Sequence, residues 1–550
     1  MSAIFYHPEA YTTTGPRLMG RHAAGSSFVR GWLQHSRSEA FWLQVDQVGH
    51  EKPFVALARQ LGRQEPIRVV PKPQMAALSQ VGTVYHPGPG LGAHARLRSL
   101  FGHTGWGLCG ITHTTSSTRA MDSIAEWLTA PVQPWDAVIC TSQAVKQHVQ
   151  GIVQAEAEHL RERLGAQRWV LPMMPVIPLG IHTQDFVFDA GQRLQARERV
   201  GAGANTMVVL FMGRLSFHAK AHPLAMYQAL ERAAQRTGQQ VLLLECGWHA
   251  NEAIASAFAE AARQAAPSVR TLTLDGRDAA TRDVAWACAD VFCSLSDNIQ
   301  ETFGLVPLEA MAAGLPVVVS DWDGYRDTVR DGVDGFRIPT WLPPAGTGRD
   351  LAFRHAAEID TYDMYCGHTC SVVGVDVDAA ALAFERLFAS DDLRRQMGAA
   401  GRARAQSLYD WAQIVPQYEA LWAEQDRVRQ AQTAKPVGLR PWAARMDPFD
   451  SFSHYATHQL QNSTRLSLAH DSLAQANQGL QAVQGLQMVR FAQETLPGPE
   501  VCAALLQRLA QGPQTVQDLL DGTPPVRQHL VLRGMAWLVK LGILRASPLE

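Results

Sequence analysis

The stretch SDNIQETFGLVPLEAMAAGLPVVVSD, residues 296–321, carries the reading from which the fold follows. The apolar run ADVFCSLS (289–296) reads as a buried strand, a polar loop follows, and a helix is expected to begin near Phe303–Val306. Pro307 suits the first turn of that helix, where its missing N–H costs nothing. A second continuous apolar strand, LPVVVSD (315–321), comes next, and strand, helix, strand with unbroken apolar strands implies a parallel sheet buried on both faces. The backbone amides of Thr302, Phe303, Gly304 and Leu305 then point out at the carboxyl end of a parallel strand. Such a helix start is a natural anion site, and a glycine in it lets a ligand approach closely. Glu301 stands before the helix and Glu309 inside it, spaced so that they can address different parts of one extended ligand. The plainer reading is a surface glutamate and a salt-bridged one flanking an ordinary helix start.

Upstream, FMGRLSFHAKAHPLAMY (211–227) places Arg214 at the end of another apolar strand and Lys220 at a helix start. Two cations converging on a helix start suit a diphosphate, each charge-assisted bond contributing about 1.5–3 kcal/mol. The alternative is a loop arginine and a solvated lysine. The same alternation extends outward through strands at 206–215, 240–247, 269–276, 289–296, 315–321 and 335–339, with helices HPLAMYQALERAAQRTG and ANEAIASAFAEAARQA between the first three. An earlier block behaves alike, with strands at 40–45, 67–70, 82–86, 108–113, 136–142 and within 173–180. There are thus two successive α/β units. The pattern lapses over 340–375, helices resume to Asp426, and a linker rich in Pro, Ala and Arg covers 427–447. A Gln/Ala-rich stretch follows at 459–495, and 499–547 reads as two or three helices and a short strand at GILR.

Composition narrows the class. With 550 residues the chain exceeds one core, and about 150 residues per domain suggests three or four. Apolar residues at 46% and charged ones at 18% mark a globular chain. Forty-nine basic against fifty-one acidic side chains argue against a nucleic-acid coat, so no nucleic-acid partner is expected. No run approaches the ~18 apolar residues of a membrane span, and the first thirty residues lack a secretory apolar core. Eight scattered cysteines do not suggest a disulfide framework, and a soluble cytosolic protein with reduced thiols is expected. Only six of the basic residues are lysines, so Lys220 carries more information than any one arginine.

Together these motifs resemble the retaining glycosyltransferases of family 4, which have the α/β GT-B fold of two Rossmann-like parallel-sheet domains facing across a cleft. The resemblance rests on the pair Glu301 and Glu309 with PLEAMAAGLPVVVSD following, on DGYRDTVRDGVDGF, on Arg214 with Lys220, and on VIPLGIHTQDF at the domain junction. It covers about residues 1–426. It implies an N-terminal acceptor-side domain at 1–178 and a nucleotide-sugar donor domain at 179–426. A linker and Gln/Ala-rich helical segment at 427–498 and a winged-helix-like tail at 499–550 would follow. By resemblance Arg214 and Lys220 hold the donor diphosphate and Glu309 the ribose hydroxyls. Glu301 and the amides from Thr302 to Leu305 hold the donor sugar and phosphate, and Asp275 and Arg277 lie near the nucleobase. GPRLMGRHAAGSSFVRGW resembles the family's glycine-rich first loop, its paired glycines spread over Gly20 and Gly25. His113 matches the strand-end histidine that reaches toward the donor sugar; a lone strand histidine is otherwise more often structural. The family's Lys-Gly is Lys220-Ala221 here, and the region 340–375 is longer than the usual connection.

The implied reaction moves a sugar, with retention, from a nucleoside-diphosphate sugar to a glycan or lipid-linked acceptor in cell-surface polysaccharide synthesis. Glu301, His113, Arg214 and Lys220 would be its catalytic residues. Neither metal nor cofactor is called for, because cations and helix dipole face the charge developing on the β-phosphate. Losing one such preorganised donor typically costs ~3–4 kcal/mol of barrier. CGHTC (366–370), with His355 nearby, is too tight for zinc-ligand spacing and reads as a loop packed on the domain. The tail's five basic and four acidic groups favour a protein partner or self-association over DNA. HLRERLGAQRW (159–169) reads as a solvated helix, or as a patch that holds the protein on the inner face of the membrane. Two other classes compete: a GT-B relative such as an epimerase or phosphorylase, and a non-catalytic binding or regulatory protein.

Overall fold

The computed structural model describes residues 1–12, 20–433 and 442–547. The chain divides into two compact units, Met1–Trp442 and Ala443–Glu550. Short apolar segments in the first unit form β1 (Ser2–Phe5), β2 (Phe41–Val45), β3 (Ile67–Pro71), β4 (Thr83–Tyr85), β5 (Gly107–Ile111) and β6 (Ala137–Ile139). They pair in parallel in the order β3-β2-β1-β4-β5-β6. A second set, β7 (Thr206–Met212), β8 (Gln240–Gly247), β9 (Arg270–Asp275), β10 (Val291–Ser294), β11 (Val317–Ser320) and β12 (Gly335–Ile338), repeats that winding. Its order is β12-β11-β10-β7-β8-β9, again all parallel. Each sheet reverses its strand order between its first and fourth strands, β1 and β4 in one and β7 and β10 in the other. In such sheets ligands bind beyond the carboxyl ends of the strands flanking the reversal.

The helices that matter for the site are α1 (Gly20–His35), α2 (Gln143–Leu164), α3 (Leu224–Thr237), α4 (Leu305–Ala312), α5 (Arg349–Ala356), α6 (Tyr362–Cys370) and α7 (Trp411–Gln430). Ser142 caps α2 by accepting from the Val145 amide at 3.2 Å. Gly238, with φ +67°, ends α3 in the left-handed conformation that glycine permits at a helix stop. One apolar cluster runs through both sheets, taking in Ile4, Tyr85, Val208, Leu210, Phe303 and Trp411.

Several expectations need correction. The central strand β1 is absent from the sequence reading, because SAIF is four residues with no alternation to mark it. Residues 173–180, expected to form a strand, make only isolated bridges, Met173 with Ala137 and Val176 with Cys140. Pro172, Pro175 and Pro178 lack the N–H that a ladder needs. Lys220 does not open a helix: α3 begins at Leu224 behind Pro223, and the ring of a proline disfavours the helical conformation of the residue before it. Region 340–375 is an ordered excursion, rooted by antiparallel pairing of Thr340 with Val375 and Trp341 with Gly374, with α5 and α6 between. CGHTC is therefore the end of helix α6, not a loop; Thr361 caps that helix by accepting from the Met364 amide at 3.3 Å.

Helix α7 falls in sequence after the second α/β unit but packs on the first sheet. The Trp411 ring lies against Gly31 and Gly180, where an added Cβ would stand 2.4 and 2.5 Å from it. Trp411 Nε1 donates to Ser27 Oγ at 2.8 Å, and Gln425 donates to the carbonyls of Leu108 and Trp135, both at 2.8 Å. In the second unit the Gln/Ala-rich segment is not separate from the tail. Its strand Arg465–Leu468 is the middle of a three-stranded sheet, paired with Gln514–Thr515 and with Leu544–Ser547. Helices Pro499–Leu509, Val516–Leu520 and Pro525–Lys540 complete that core. Residues 434–441 of the expected linker and 548–550 of the tail lie outside the described residues.

Trp411→Ala is expected to destabilise the first unit by about 3–5 kcal/mol, since a buried indole between two glycines leaves a cavity that cannot collapse. Denaturant unfolding followed by tryptophan fluorescence and circular dichroism checks this.

Candidate active site

The carboxyl ends of β7 and β10 bring together the groups that the sequence singled out. Beyond β7, Gly213 carries the chain at φ +143° and Arg214 turns back, donating to the Ala219 carbonyl at 2.8 Å and to Gln300 Oε1 at 3.1 Å. Lys220 is held by its amide bond to the Ser216 carbonyl, and its ammonium meets Glu301 Oε2 at 2.5 Å. The pair is largely buried, with side-chain exposures of 23% and 13%. Burial pushes the Glu301 carboxyl up, but the Lys220 ammonium and the Thr302 and Phe303 amides outweigh it and hold the group below its usual range. Lys220 and Glu301 therefore share charge across the loop, a pairing that the sequence reading did not include.

Helix α4 starts where it was expected, with Gly304 as N-cap at φ +86°. An added Cβ there would stand 2.0 Å from the Tyr325 ring, so glycine is required by both conformation and space. Among the described residues the Gly304 and Leu305 amides donate to no partner, as the anion-site reading requires. Thr302 and Phe303 have other duties. The Thr302 amide turns to Glu301 Oε1 at 3.3 Å, and Phe303 is buried in the core. The Glu309 carboxylate, inside α4, makes no hydrogen bond to a described residue, although its backbone carbonyl accepts from the Ala313 amide at 2.9 Å. Its carboxyl is pushed up to about 7 by burial, partly offset by Arg282 and Lys220.

The first sheet contributes directly. Thr302 Oγ1 donates to the His113 carbonyl at 3.2 Å, while Thr141 and Ser142 donate to the Thr302 carbonyl at 3.3 and 2.9 Å. The Gln143 amide at the head of α2 donates to Asp327 Oδ2 at 2.7 Å. His113, at the end of β5, thus lies against the residue that follows Glu301. Asp275 and Arg277, at the end of β9, form an exposed pair at 2.7 Å; the Arg277 guanidinium lowers Asp275 to about 2. No hydrogen bond or ion pair joins them to the groups around Glu301 among the described residues. Gly20 opens α1, where among the described residues nothing lies within 4 Å of an added Cβ, and residues 15–19 of the glycine-rich loop lie outside the described residues. Gly25 serves packing, since an added Cβ would stand 2.1 Å from the Ala10 carbonyl oxygen.

Sequence reasoning missed four participants. Arg282, bonded to the carbonyls of Gly276 and Arg277 at 2.9 and 3.1 Å, faces Glu309 electrostatically. Tyr325 donates to Glu301 Oε2 at 3.5 Å and shares a 2.9 Å bond with Ser294. Asp323 sits at φ +45° with a buried, unpartnered Oδ2. Burial, and then the nearby Glu301 charge, push it up to about 8. Gln300 anchors Arg214. Asp323 and Tyr325 lie in DGYRDTVRDGVDGF, so that motif was the available signal; nothing in the sequence marked Arg282. Among the described residues no group of three or more metal-ligating side chains converges.

Two facing sheets of this winding, with this site at the second reversal, define a GT-B protein. A family model described as glycosyl transferases group 1 matches residues 192–341, within the second α/β domain. The phosphatidyl-myo-inositol mannosyltransferase of Mycobacterium tuberculosis is 29% identical over 278 residues, covering 49% of this chain and 61% of its own. The D-inositol 3-phosphate glycosyltransferase of Xylanimonas cellulosilytica is 32% identical over 189 residues, covering 33% of this chain and 42% of its own. The chain thus spans less than two thirds of the length of these relatives. Among solved structures, Anabaena Alr3699/HepE in complex with UDP superposes with a TM-score of 0.50 at 15% identity, covering 77% of this chain and 100% of that one. That likeness is one of fold.

Gly304→Ala forces a methyl into the Tyr325 ring at a left-handed position, and a strained conformation of this kind costs about 1–3 kcal/mol. A lower thermal midpoint is expected, read by thermal unfolding of the variant against the wild type.

Proposed function

We propose that the protein is a retaining, metal-independent glycosyltransferase that moves a hexosyl group from a nucleoside-diphosphate sugar to a glycan or lipid-linked acceptor. Cell-surface polysaccharide synthesis is the setting, and the second unit offers a surface for a protein partner or a second copy. No helix among the described residues is long and apolar enough to cross a membrane. A lipid-linked acceptor would therefore be met at the membrane surface.

The observation that carries the reading is the convergence of Arg214, Lys220, Glu301, Glu309 and the Gly304–Leu305 amides at the carboxyl ends of β7 and β10, with His113 brought against Thr302 by the other sheet. In this reading Arg214, Lys220 and the α4 amides take the diphosphate, and Glu309 accepts from the ribose hydroxyls. As the bond between the anomeric carbon and the β-phosphate oxygen lengthens, negative charge builds on that phosphate and positive charge on the sugar ring. The cations and amides stabilise the first, and the Glu301 carboxylate and the His113 region orient the second. The acceptor oxygen attacks from the face the phosphate leaves, and the phosphate takes its proton. The likeness to a UDP complex and to mannosyl and inositol transferases agrees with this chemistry without selecting the base or sugar.

Calorimetric titration with UDP, GDP, ADP and dTDP tests the site. One nucleotide is expected to bind, and Lys220→Ala to weaken it tenfold or more, about 1.4 kcal/mol. Binding of none below the millimolar range would sink the reading. A second expectation concerns pH. Glu309, pushed up to about 7, gains a proton as the medium turns acid and can no longer accept two hydroxyl donors through a charged carboxylate. Nucleotide affinity should then fall as pH drops from about 8 to about 6, one protonation step accounting for the change. Glu309→Gln should bind weakly across that range, with the extra pH dependence gone.

A further inference from the structure

The excursion carrying α5 and α6 touches both halves of the site described above. On one side, the Tyr362 hydroxyl lies 2.9 Å from Ser116 Oγ and 3.3 Å from Thr114 Oγ1, in the loop that follows His113. His355 Nε2 lies 3.1 Å from Thr118 Oγ1, the first residue of the helix that follows that loop. On the other side, Gly367 of α6 packs on His218, where an added Cβ would stand 2.8 Å from the histidine Cβ. The neighbouring Cys370 thiol lies 3.8 Å from the Phe217 carbonyl. Phe217 and His218 belong to the loop between Arg214 and Lys220. The excursion is braced internally: Arg354 grips Asp360 with bonds of 2.6 and 2.9 Å, His368 meets the same carboxylate at 3.1 Å, and His355 stacks on Tyr365 at 4.2 Å.

The end of the excursion also reaches Arg214. The Gln300 side chain accepts from Arg214 Nη2 at 3.1 Å. Gln300 is held in turn by Asn298, whose Oδ1 accepts the Gln300 amide at 2.9 Å and whose Nδ2 donates to the His218 carbonyl at 3.0 Å. The excursion therefore grips the loop after His113 through Tyr362 and reaches Arg214 through Gly367, His218, Asn298 and Gln300. Arg214 is held by uncharged groups, Gln300 and the Ala219 carbonyl, which orient the guanidinium without neutralising it.

We propose that Tyr362 is a positioning residue: it ties the excursion to the loop following His113, so that the excursion, packed on His218, holds the 214–220 loop with Arg214 aimed at the donor diphosphate and slows nucleotide release. This rests on the donor-site reading of Arg214. The tie on the His113 side consists of single polar contacts of about 3 Å, which can let go and re-form, while on the other side Gly367 packs directly against His218. A hydroxyl suits the role because it donates and accepts at once.

Tyr362→Phe removes the hydroxyl and keeps the ring. The probe is whichever of UDP, GDP, ADP and dTDP binds the wild type most tightly, its dissociation followed by stopped-flow displacement. Release is expected to quicken about fivefold or more, the size of one lost hydrogen bond, with a much smaller change in association rate. The thermal midpoint should stay within about 2 °C, separating positioning from folding. Ser116→Ala should speed release similarly, and the double variant should be no faster than the faster single one. If the wild type binds nucleotide and Tyr362→Phe releases it at the wild-type rate, this inference is overturned and the donor site stands. A midpoint that falls while the release rate stays unchanged overturns it equally. A wild type that binds none of the four overturns the functional reading, and this inference with it.

Discussion

An open parallel sheet covered by helices on both faces must reverse its winding somewhere, and at the reversal the chain leaves in opposite directions and cannot cover the strand ends. This protein contains two such sheets of identical order, and the rest of its architecture depends on how the two crevices meet. Thr302 holds the junction. Its carbonyl accepts from Thr141 and Ser142 of the first domain, and its hydroxyl donates to the His113 carbonyl. Because Thr302 also follows Glu301 and precedes the Gly304 helix start, the interdomain contact and the anion site share one piece of backbone. Any motion that parts the domains must disturb the site, and the continuous apolar cluster beneath it resists that motion.

Charge at this junction is arranged by burial. Carboxylates so enclosed shift upward unless paired, because low polarity disfavours the charged form. Glu301 is paired with Lys220 and stays charged; Glu309 and Asp323, with weaker support, are pushed up to about 7 and about 8. Groups of one chemical type thus acquire separate working states within one crevice. Pairing Lys220 with Glu301 also keeps a cation from standing desolvated, since an unpaired buried charge costs several kcal/mol.

Particular residues explain how much of this was readable in advance. The segment 296–321 was legible because its signals are local: Pro307 and Gly304 set a helix start, and the valine run sets a strand. The strands of the second sheet were legible for the same reason. In the first sheet, β1 has four residues and no alternation, and it becomes central only because Ala3 and Ile4 meet Trp42, Leu43, Val84 and Tyr85 from distant segments. Residues 173–180 are apolar enough for a strand, but three prolines hold them to single bridges. Packing at the glycines expected near the donor was not legible either. Gly25 is a glycine because Ala10 lies against it, a contact invisible in spacing.

The sequence by itself determined the two α/β units, the α4 helix start, and the presence of Arg214, Lys220 and Glu301 beyond strand ends with Glu309 inside the helix that follows. Short-range terms decide those things: residue size, the missing N–H of proline, the left-handed freedom of glycine, and apolar runs. Only the tertiary structure decided that Lys220 pairs with Glu301, that α7 returns to the first sheet, that the 465–468 strand joins the tail, and that Tyr362 reaches the loop after His113. Each of these joins residues far apart in the chain, and its free energy arises only when both surfaces leave water together. No local pattern can encode such a term, because it belongs to the pair and to the fold that brings the pair together.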